Sequence, residues 1–185
     1  MSLRCLHGLA PFSSPPATHN GRKSAKRYTQ YYIRVSIIVL CKKLFKNFLS
    51  EIESVVAFSY KPEGYNKYVY MITDPDCPFC EKSKEAVKQW ADANKVEIKV
   101  IFFPLESLHP QAKDKAIKAV CSGMKYDDYL NSRWTGNKCS EGVKKIEDSI
   151  ALMKKINING TPSFISFNGK RLMGFSPQEL DNIIK

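Results

Sequence analysis

A short run that ends in two cysteines constrains this chain more than any other feature. Residues 69–72 are apolar, a turn rich in Asp and Pro follows, and the run closes with Cys77-Pro78-Phe79-Cys80 before a helical pattern. This is the arrangement of a redox-active dithiol, because the unpaired N–H groups at a helix N-terminus stabilise a thiolate. Pro78 suits the first helical turn, where its missing N–H would have had no partner. We therefore expect Cys77 to be the nucleophile and Cys80, one turn further, to be the resolving thiol.

The net charge of +11 at pH 7 comes almost entirely from the start of the chain. Residues 1–50 hold nine Lys and Arg and no Asp or Glu, which leaves 20 basic and 18 acidic residues for the remainder. The rest of the chain is therefore nearly neutral. Proteins that bind nucleic acid concentrate positive charge on their folded surface, so the charge distribution excludes nucleic acid as a partner.

The first part of the chain also differs in composition. The apolar run at 33–41 is interrupted by Arg34 and is shorter than the roughly 20 residues that span a bilayer. We interpret residues 1–43 as a basic, acid-free leader that is signal- or transit-like, disordered or non-native. It could contain the core of an export signal, be an organelle transit peptide, or result from a translation start assigned too far upstream. Residues 44–57 have apolar side chains at helical spacing and predict an amphipathic linker helix, followed by a globular domain at 58–185.

Strand and helix patterns alternate in the globular part. Strands are predicted at 58–60, 67–73, 96–103, 163–168 and 171–175, and helices at 78–94, 111–121, 125–134, 141–156 and from 177 to the end. One helix connects the strands at 67–73 and 96–103, so these two strands are expected to be parallel. The order predicts an α/β fold with a helical insertion between its two halves.

Three features of the sequence occur together. Cys77-Pro78-Phe79-Cys80 follows a strand, Gly160-Thr161-Pro162 opens a later strand pair, and Phe103-Pro104 leads to a helix that ends at Cys121, with Cys139 beyond it. In combination they resemble the thioredoxin superfamily. Within it, residues 58–185 are similar to the catalytic domain of the DsbC/DsbG family of bacterial periplasmic disulfide isomerases.

The resemblance implies a fold and an activity. The fold would be a thioredoxin fold, with a central mixed sheet flanked by helices and a helical insertion at about 105–157. The activity would be thiol:disulfide exchange on exported, cysteine-containing proteins or peptides in the periplasm, with no cofactor and no metal. A membrane-bound or soluble thiol protein would be the redox partner. The family carries an N-terminal dimerisation domain that residues 1–57 do not match, so a monomer is expected.

The resemblance also assigns substrate-binding roles around the cysteine pair. Pro162 would be cis, which proline tolerates at a cost of about 0.5–1 kcal/mol. The backbone of Thr161 could then pair with an extended substrate chain, as in strand addition. Pro78 and Phe79 would contact the same chain. An ordinary trans turn proline at 162 is the alternative.

The remaining cysteines of the globular part would form a structural disulfide, Cys121 to Cys139, that closes the helical insertion. Two free buried thiols are the alternative. A zinc site is disfavoured, because structural zinc takes about four ligands and Cys121 and Cys139 lie 18 residues apart, with no second close pair.

Met71 stands where thioredoxin has a buried carboxylate, six residues before the first cysteine.

The direction of electron flow depends on what surrounds Cys77. Phe79 adds no positive charge, whereas a His at that position could, so we expect a milder oxidant that acts as an isomerase or reductase. A dithiol oxidase of the DsbA kind is one alternative. A redox-inactive module that binds peptides at Thr161 and Pro162 is another.

The other polar and aromatic residues near these motifs are predicted to be structural. Asp74 and Asp76 are interpreted as turn-forming residues and helix-start charges, with proton relay to Cys80 as an alternative for Asp74. His109 is predicted to be a solvated loop residue. Packing roles are predicted for Trp90 and Trp134, and a solvated helix face for Lys113, Lys115 and Lys118.

Overall fold

The computed structural model describes residues 32–33, 35–36 and 47–185. Most of the predicted leader at 1–43, including Cys5 and Cys41, lies outside the described residues, as do residues 44–46. The chain divides into two compact units between Glu51 and Ile52. No helix in the described part of the chain is both long enough and apolar enough to cross a membrane.

A mixed five-stranded sheet forms the centre of the described residues. Its strands are β1 (Phe58–Tyr60), β2 (Lys67–Thr73), β3 (Val96–Phe102), β4 (Ser163–Ser166) and β5 (Arg171–Met173). They lie in the order β1-β3-β2-β4-β5. β2 and β3 are parallel, and the other neighbouring pairs are antiparallel. The predicted α/β class, the mixed sheet and the parallel pair are confirmed.

The apolar run before the cysteines becomes the central strand, β2. From Val69 to Thr73 every residue is buried; β3 and β4 pair with its two edges, and its side chains lie in the core on both faces of the sheet. Met71 is opposite Val100 on β3 and Phe164 on β4. A strand buried on both faces is a continuous apolar run rather than an alternating one. The turn that carries the two cysteines follows the C-terminal end of β2.

Helices flank the sheet and fill the region between β3 and β4. They are α1 (residues 47–54, as far as described), α2 (Pro78–Asn94), α3 (Ala112–Cys121), α4 (Tyr126–Leu130), α5 (Ser140–Lys155) and α6 (Pro177–Ile183). The predicted helices are confirmed, but α4 ends well before 134. Ser132 has a φ of 50°, a left-handed conformation that a continuing helix does not allow.

Within the described residues, the linker helix predicted at 44–57 is helical at 47–54 and ends before Val55. Its C-terminal turn is attached to the sheet by Glu53, whose carboxylate accepts hydrogen bonds from the Tyr70 hydroxyl at 2.8 Å and from the Lys99 ammonium at 2.6 Å. Ile52 and Val55 are buried. Ala57 then donates its N–H to the Val100 carbonyl at 2.8 Å, which leads the chain into β1.

The long helix α2 packs its apolar face against the sheet. Val87, Trp90 and Ala91 are buried in the main core, and the Trp90 indole N–H donates to the Asp181 carboxylate on α6 at 2.8 Å. The helix ends at Lys95, whose left-handed conformation (φ 53°) closes it with bonds to the carbonyls of the last turn. The packing role predicted for Trp90 is confirmed.

The region between β3 and β4 holds α3, α4 and α5. The Cys121 and Cys139 sulfurs are bonded at 2.10 Å, which joins the end of α3 to the N-cap of α5. Aromatic side chains on α4 and just after it form a cluster against the sheet. The ring centre of Trp134 lies 5.9 Å from that of Phe102 and 6.1 Å from that of Tyr129. The packing role of Trp134 is confirmed as well.

Candidate active site

Cys77 is placed at the N-cap of α2, where the helix leaves the end of β2. Its backbone is extended (φ −73°, ψ 119°), its N–H donates to the Asp74 carbonyl at 3.2 Å, and its own carbonyl accepts from Glu81 at 3.0 Å. Pro78 occupies the first helical turn, as predicted. Both Cys77 and Cys80 are free thiols. Cys77 therefore lies at the N-terminus of α2, whose first N–H groups have no partner within the helix, although its side chain accepts no capping hydrogen bond from them.

The sheet brings the Gly160-Thr161-Pro162 segment to the same place. Because β4 is antiparallel to β2, the start of β4 lies beside the end of β2, with Ser163 opposite Ile72. The Thr161–Pro162 peptide bond is cis. The Cys77 thiol donates to the Thr161 carbonyl at 3.4 Å. The two segments, 84 residues apart in sequence, form one site.

Cys80 lies deeper than the first cysteine and is almost completely buried. Burial raises the pKa of the Cys80 thiol to about 12, and the neighbouring Cys77 also raises it; interactions with the Thr73 side chain, the Asp74 backbone and the Thr161 side chain act in the opposite direction. At neutral pH Cys80 keeps its proton. Cys77 is therefore the sulfur that can attack first.

Asp74 has a different role from proton relay. Its carboxylate is fully buried and accepts hydrogen bonds from the Asp76 N–H at 2.8 Å and the Leu105 N–H at 2.7 Å. His109 places Nδ1 3.0 Å from the same carboxylate. The turn-forming role is confirmed, and only the backbone of Asp74 reaches Cys80. The prediction of a solvated His109 is wrong, because this residue is partly buried against Asp74.

One residue of the predicted solvated lysine face also belongs to the surroundings of the site. Lys115 on α3 forms an ion pair with Asp76, the residue directly before Cys77. Lys113 lies 3.7 Å from Glu106 and 3.8 Å from Glu147. Lys113 and Lys115 keep 29% and 31% of their side chains exposed, which agrees with a partly solvated face, and the ion pair of Lys115 adds a contact between α3 and the turn that carries the cysteine.

Three large apolar side chains are exposed on segments that adjoin the site. Phe79 is 71% exposed, Leu108 69% and Met173 74%. Leu108 adjoins His109 and so lies near the turn, and the Met173 sulfur is 3.5 Å from the position a Cβ would take at Gly160. The sequence pointed to Phe79 alone, because the other two come from segments distant in the chain.

No group of three or more His, Cys, Asp or Glu side chains within the described residues is arranged to hold a metal ion. Cys121 and Cys139 are bonded to each other, and they lie apart from the dithiol. What the site offers is a free thiol at a helix N-terminus, a buried second thiol and an adjoining backbone edge.

Comparisons with known proteins agree with this architecture. The chain is 25% identical over 127 residues to the thiol:disulfide interchange protein DsbG of Escherichia coli, a match that covers 63% of this chain and 51% of that protein. The chain thus spans about half the length of this relative.

Solved structures show the same fold. A disulfide interchange protein from Neisseria gonorrhoeae is 25% identical, with a TM-score of 0.56 over 68% of this chain and 91% of that one. The catalytic domain of Proteus mirabilis ScsC is 15% identical, with a TM-score of 0.57 over 75% and 95% of the two chains. The family described as thioredoxin-like domain matches residues 54–185. This chain is therefore a member of the thioredoxin superfamily, and it resembles the DsbC/DsbG-type thiol:disulfide interchange proteins.

Proposed function

We propose that this protein is a thiol:disulfide oxidoreductase that acts on exported, cysteine-containing proteins and favours isomerisation or reduction. The observation that carries the proposal is the free Cys77 thiol at the N-cap of α2, 3.4 Å from the Thr161 carbonyl beside Pro162. Membership of the thioredoxin superfamily and similarity to DsbG support the same chemistry. The dithiol itself is the redox centre, and no cofactor is required.

The reaction begins with the Cys77 thiolate, which the N-terminus of α2 stabilises. It attacks one sulfur of a substrate disulfide; that S–S bond breaks, and the other substrate sulfur leaves as a thiolate and takes a proton. In isomerisation a substrate thiolate attacks the mixed disulfide and frees Cys77 again. In reduction Cys80 attacks Cys77, the reduced substrate leaves, and two electrons have passed from the dithiol to the substrate.

The substrate is an extended polypeptide with apolar residues beside its cysteine. Phe79, Leu108 and Met173 are the three most exposed large apolar side chains of residues 52–185. They come from segments that adjoin the dithiol: Phe79 lies between the two cysteines, Leu108 precedes the residue that contacts Asp74, and Met173 lies beside Gly160. Isolated exposed apolar residues are ordinary, but such side chains gathered at one site indicate binding. The backbone of Thr161 adds main-chain pairing.

The proposed setting is the periplasm. The Cys121–Cys139 disulfide persists in an oxidising compartment, whereas cytosolic thiols are kept reduced. A membrane-bound or soluble thiol protein there would return the dithiol to its reduced state. The expected monomeric state stays a prediction.

The test uses ribonuclease with scrambled disulfides as substrate, together with insulin reduction. The wild-type protein should restore ribonuclease activity, and Cys77→Ser should restore none. Cys80→Ser should still isomerise but should accumulate a mixed disulfide and reduce insulin poorly, because the resolving thiol is missing.

The same assays separate the alternatives. A protein that oxidises reduced ribonuclease faster than it rescues the scrambled form would be a dithiol oxidase. If Cys77→Ser kept the full biological activity of the wild type, the site would be a redox-inactive peptide-binding module, and the proposal would be contradicted.

A further inference from the structure

Two buried hydroxyls meet at the end of the strand that leads to the dithiol. The Thr73 Oγ1 and the Tyr129 hydroxyl lie 2.8 Å apart, and both residues are completely buried. Thr73 ends β2, directly before the turn that carries the dithiol, and Tyr129 comes from α4, 56 residues away. Met71, at the position of the missing carboxylate, is an apolar core residue.

We propose that Thr73 and Tyr129 form a relay of two hydrogen bonds that positions the Cys80 sulfur and stabilises its thiolate during the resolving step. The inference rests on the proposed function, since it concerns the second step of that reaction. It makes these two residues positioning residues for Cys80 and leaves the first attack, by Cys77, independent of them.

The Thr73 hydroxyl has the two neighbours that such a relay needs. Its oxygen lies 2.8 Å from the Tyr129 hydroxyl oxygen, and the interaction of its side chain with Cys80 lowers the pKa of that thiol and so favours the charged form. A hydroxyl donates one hydrogen and accepts others. When Thr73 donates to the sulfur, its oxygen is left to accept from Tyr129, so the two bonds polarise in the same direction.

A third hydroxyl belongs to the same surroundings. Thr161 Oγ1 is the buried side-chain atom of the described residues that lacks a hydrogen-bond partner, and the interaction of this side chain with Cys80 lowers the pKa of that thiol. A buried polar atom without a partner is costly. Formation of the thiolate at Cys80 would provide Thr161 with the acceptor that it lacks.

Lys84 makes Tyr129 a stronger donor. Its ammonium lies 4.5 Å from the centre of the Tyr129 ring. The lysine is almost completely buried, and it is held by the Ser132 hydroxyl at 2.8 Å and the Glu81 carboxylate at 2.5 Å. A cation over the face of a phenol draws electron density from the ring, which strengthens donation by the hydroxyl. Burial raises the pKa of Tyr129 well above its usual range, so the phenol keeps its proton.

The chemistry of the step balances without another reagent. The Cys80 sulfur attacks Cys77 in the mixed disulfide, the bond between Cys77 and the substrate sulfur breaks, and the Cys77–Cys80 bond forms. The proton that Cys80 loses ends on the departing substrate thiolate. Thr73 and Tyr129 keep their own protons throughout and lower the barrier by donating to the sulfur as its charge develops.

The test compares Tyr129→Phe with Tyr126→Phe. Both tyrosines belong to the same buried aromatic cluster, but the Tyr126 hydroxyl donates to the Lys84 carbonyl at 3.4 Å and not to Thr73. A fluorescent peptide disulfide gives the rate at which the mixed disulfide forms and, separately, the rate at which Cys80 resolves it. Tyr129→Phe should slow resolution about tenfold and change formation less than about twofold, because one bond in the relay is lost. Tyr126→Phe should change neither rate.

A second pair of variants keeps the test valid if Tyr129→Phe folds poorly. Thr73→Ser retains the hydroxyl and should resolve nearly as fast as the wild type, whereas Thr73→Val removes it and should slow resolution by about tenfold or more. Resolution rates that are equal in Thr73→Ser and Thr73→Val, or in Tyr129→Phe and the wild type, would overturn the inference. A wild-type protein that forms no mixed disulfide would refute the proposed function, and the inference with it.

Discussion

The buried carboxylate of Asp74 allows a sharp prediction for Asp74→Asn. Its two oxygens are used by separate backbone donors, the Asp76 N–H at 2.8 Å and the Leu105 N–H at 2.7 Å, and His109 adds a third contact at 3.0 Å. This one side chain ties the turn before Cys77 to the segment that leads into α3. The free energy of unfolding should therefore depend strongly on it.

The magnitude follows from the geometry. An asparagine has one carbonyl oxygen and one NH₂ group, so either orientation of the amide leaves one of the two backbone N–H groups facing another donor. The variant loses a hydrogen bond to a charged group and leaves a buried N–H unpaired, each of which costs about 1–3 kcal/mol. Since the two costs overlap, we expect Asp74→Asn to lower the free energy of unfolding by about 2–4 kcal/mol.

The assay is urea unfolding followed by circular dichroism, with Asp76→Asn as the matched control. Asp76 is partly exposed, and its ion pair with Lys115 is of the kind that contributes about 0–1 kcal/mol. Asp76→Asn should therefore change the free energy of unfolding by less than about 1 kcal/mol. Equal effects of the two variants would refute the reasoning, because the contacts of Asp74 would then not stabilise the turn.

Three further predictions concern the cysteines and their surroundings. Replacing both Cys121 and Cys139 by Ala should lower the free energy of unfolding by about 3 kcal/mol, the loop-closure value for their separation of 18 residues; an unchanged urea midpoint would contradict this. Gly142→Ala should destabilise by about 1–3 kcal/mol, because the new Cβ would lie 2.4 Å from the Cys121 sulfur; a melting temperature equal to that of the wild type would refute the crowding. The pKa of Cys80 is raised from 9.0 to about 12 on folding, so above pH 9 the unfolded chain loses this proton first. The stability of the reduced protein relative to Cys80→Ala should then fall by about 1.4 kcal/mol per pH unit, and a difference that does not change between pH 9 and pH 10.5 would contradict the assignment.

Local patterns explain why most of the fold could be predicted from the sequence. The run at 69–72 is apolar on both faces because β2 is central, and Pro78 marks the first turn of α2. Ser176 caps α6 by accepting from the Glu179 N–H at 3.4 Å, as the residue pattern there indicates. Each of these signals lies within a few residues of the element that it defines.

The surroundings of the dithiol could not be predicted, because their partners are distant in sequence. His109 pairs with Asp74 across 35 residues, and Tyr129 meets Thr73 across 56. A lysine on a helix is ordinarily expected to be solvated. Lys84 is nevertheless buried, and its ammonium donates a hydrogen bond to the hydroxyl of Ser132, 48 residues later in the chain. Only the packed fold shows which hydroxyl or carboxylate each of these side chains meets.

The most direct test of a dithiol centre at Cys77 and Cys80 is a redox titration of the folded protein in glutathione buffers, with free thiols alkylated and located by mass spectrometry. The account predicts that Cys77 and Cys80 change together and reversibly between two alkylated thiols and one disulfide, while Cys121 and Cys139 stay bonded under all buffers that leave the protein folded. A Cys77–Cys80 pair that never forms a disulfide, or that forms one only when the protein unfolds, would contradict it.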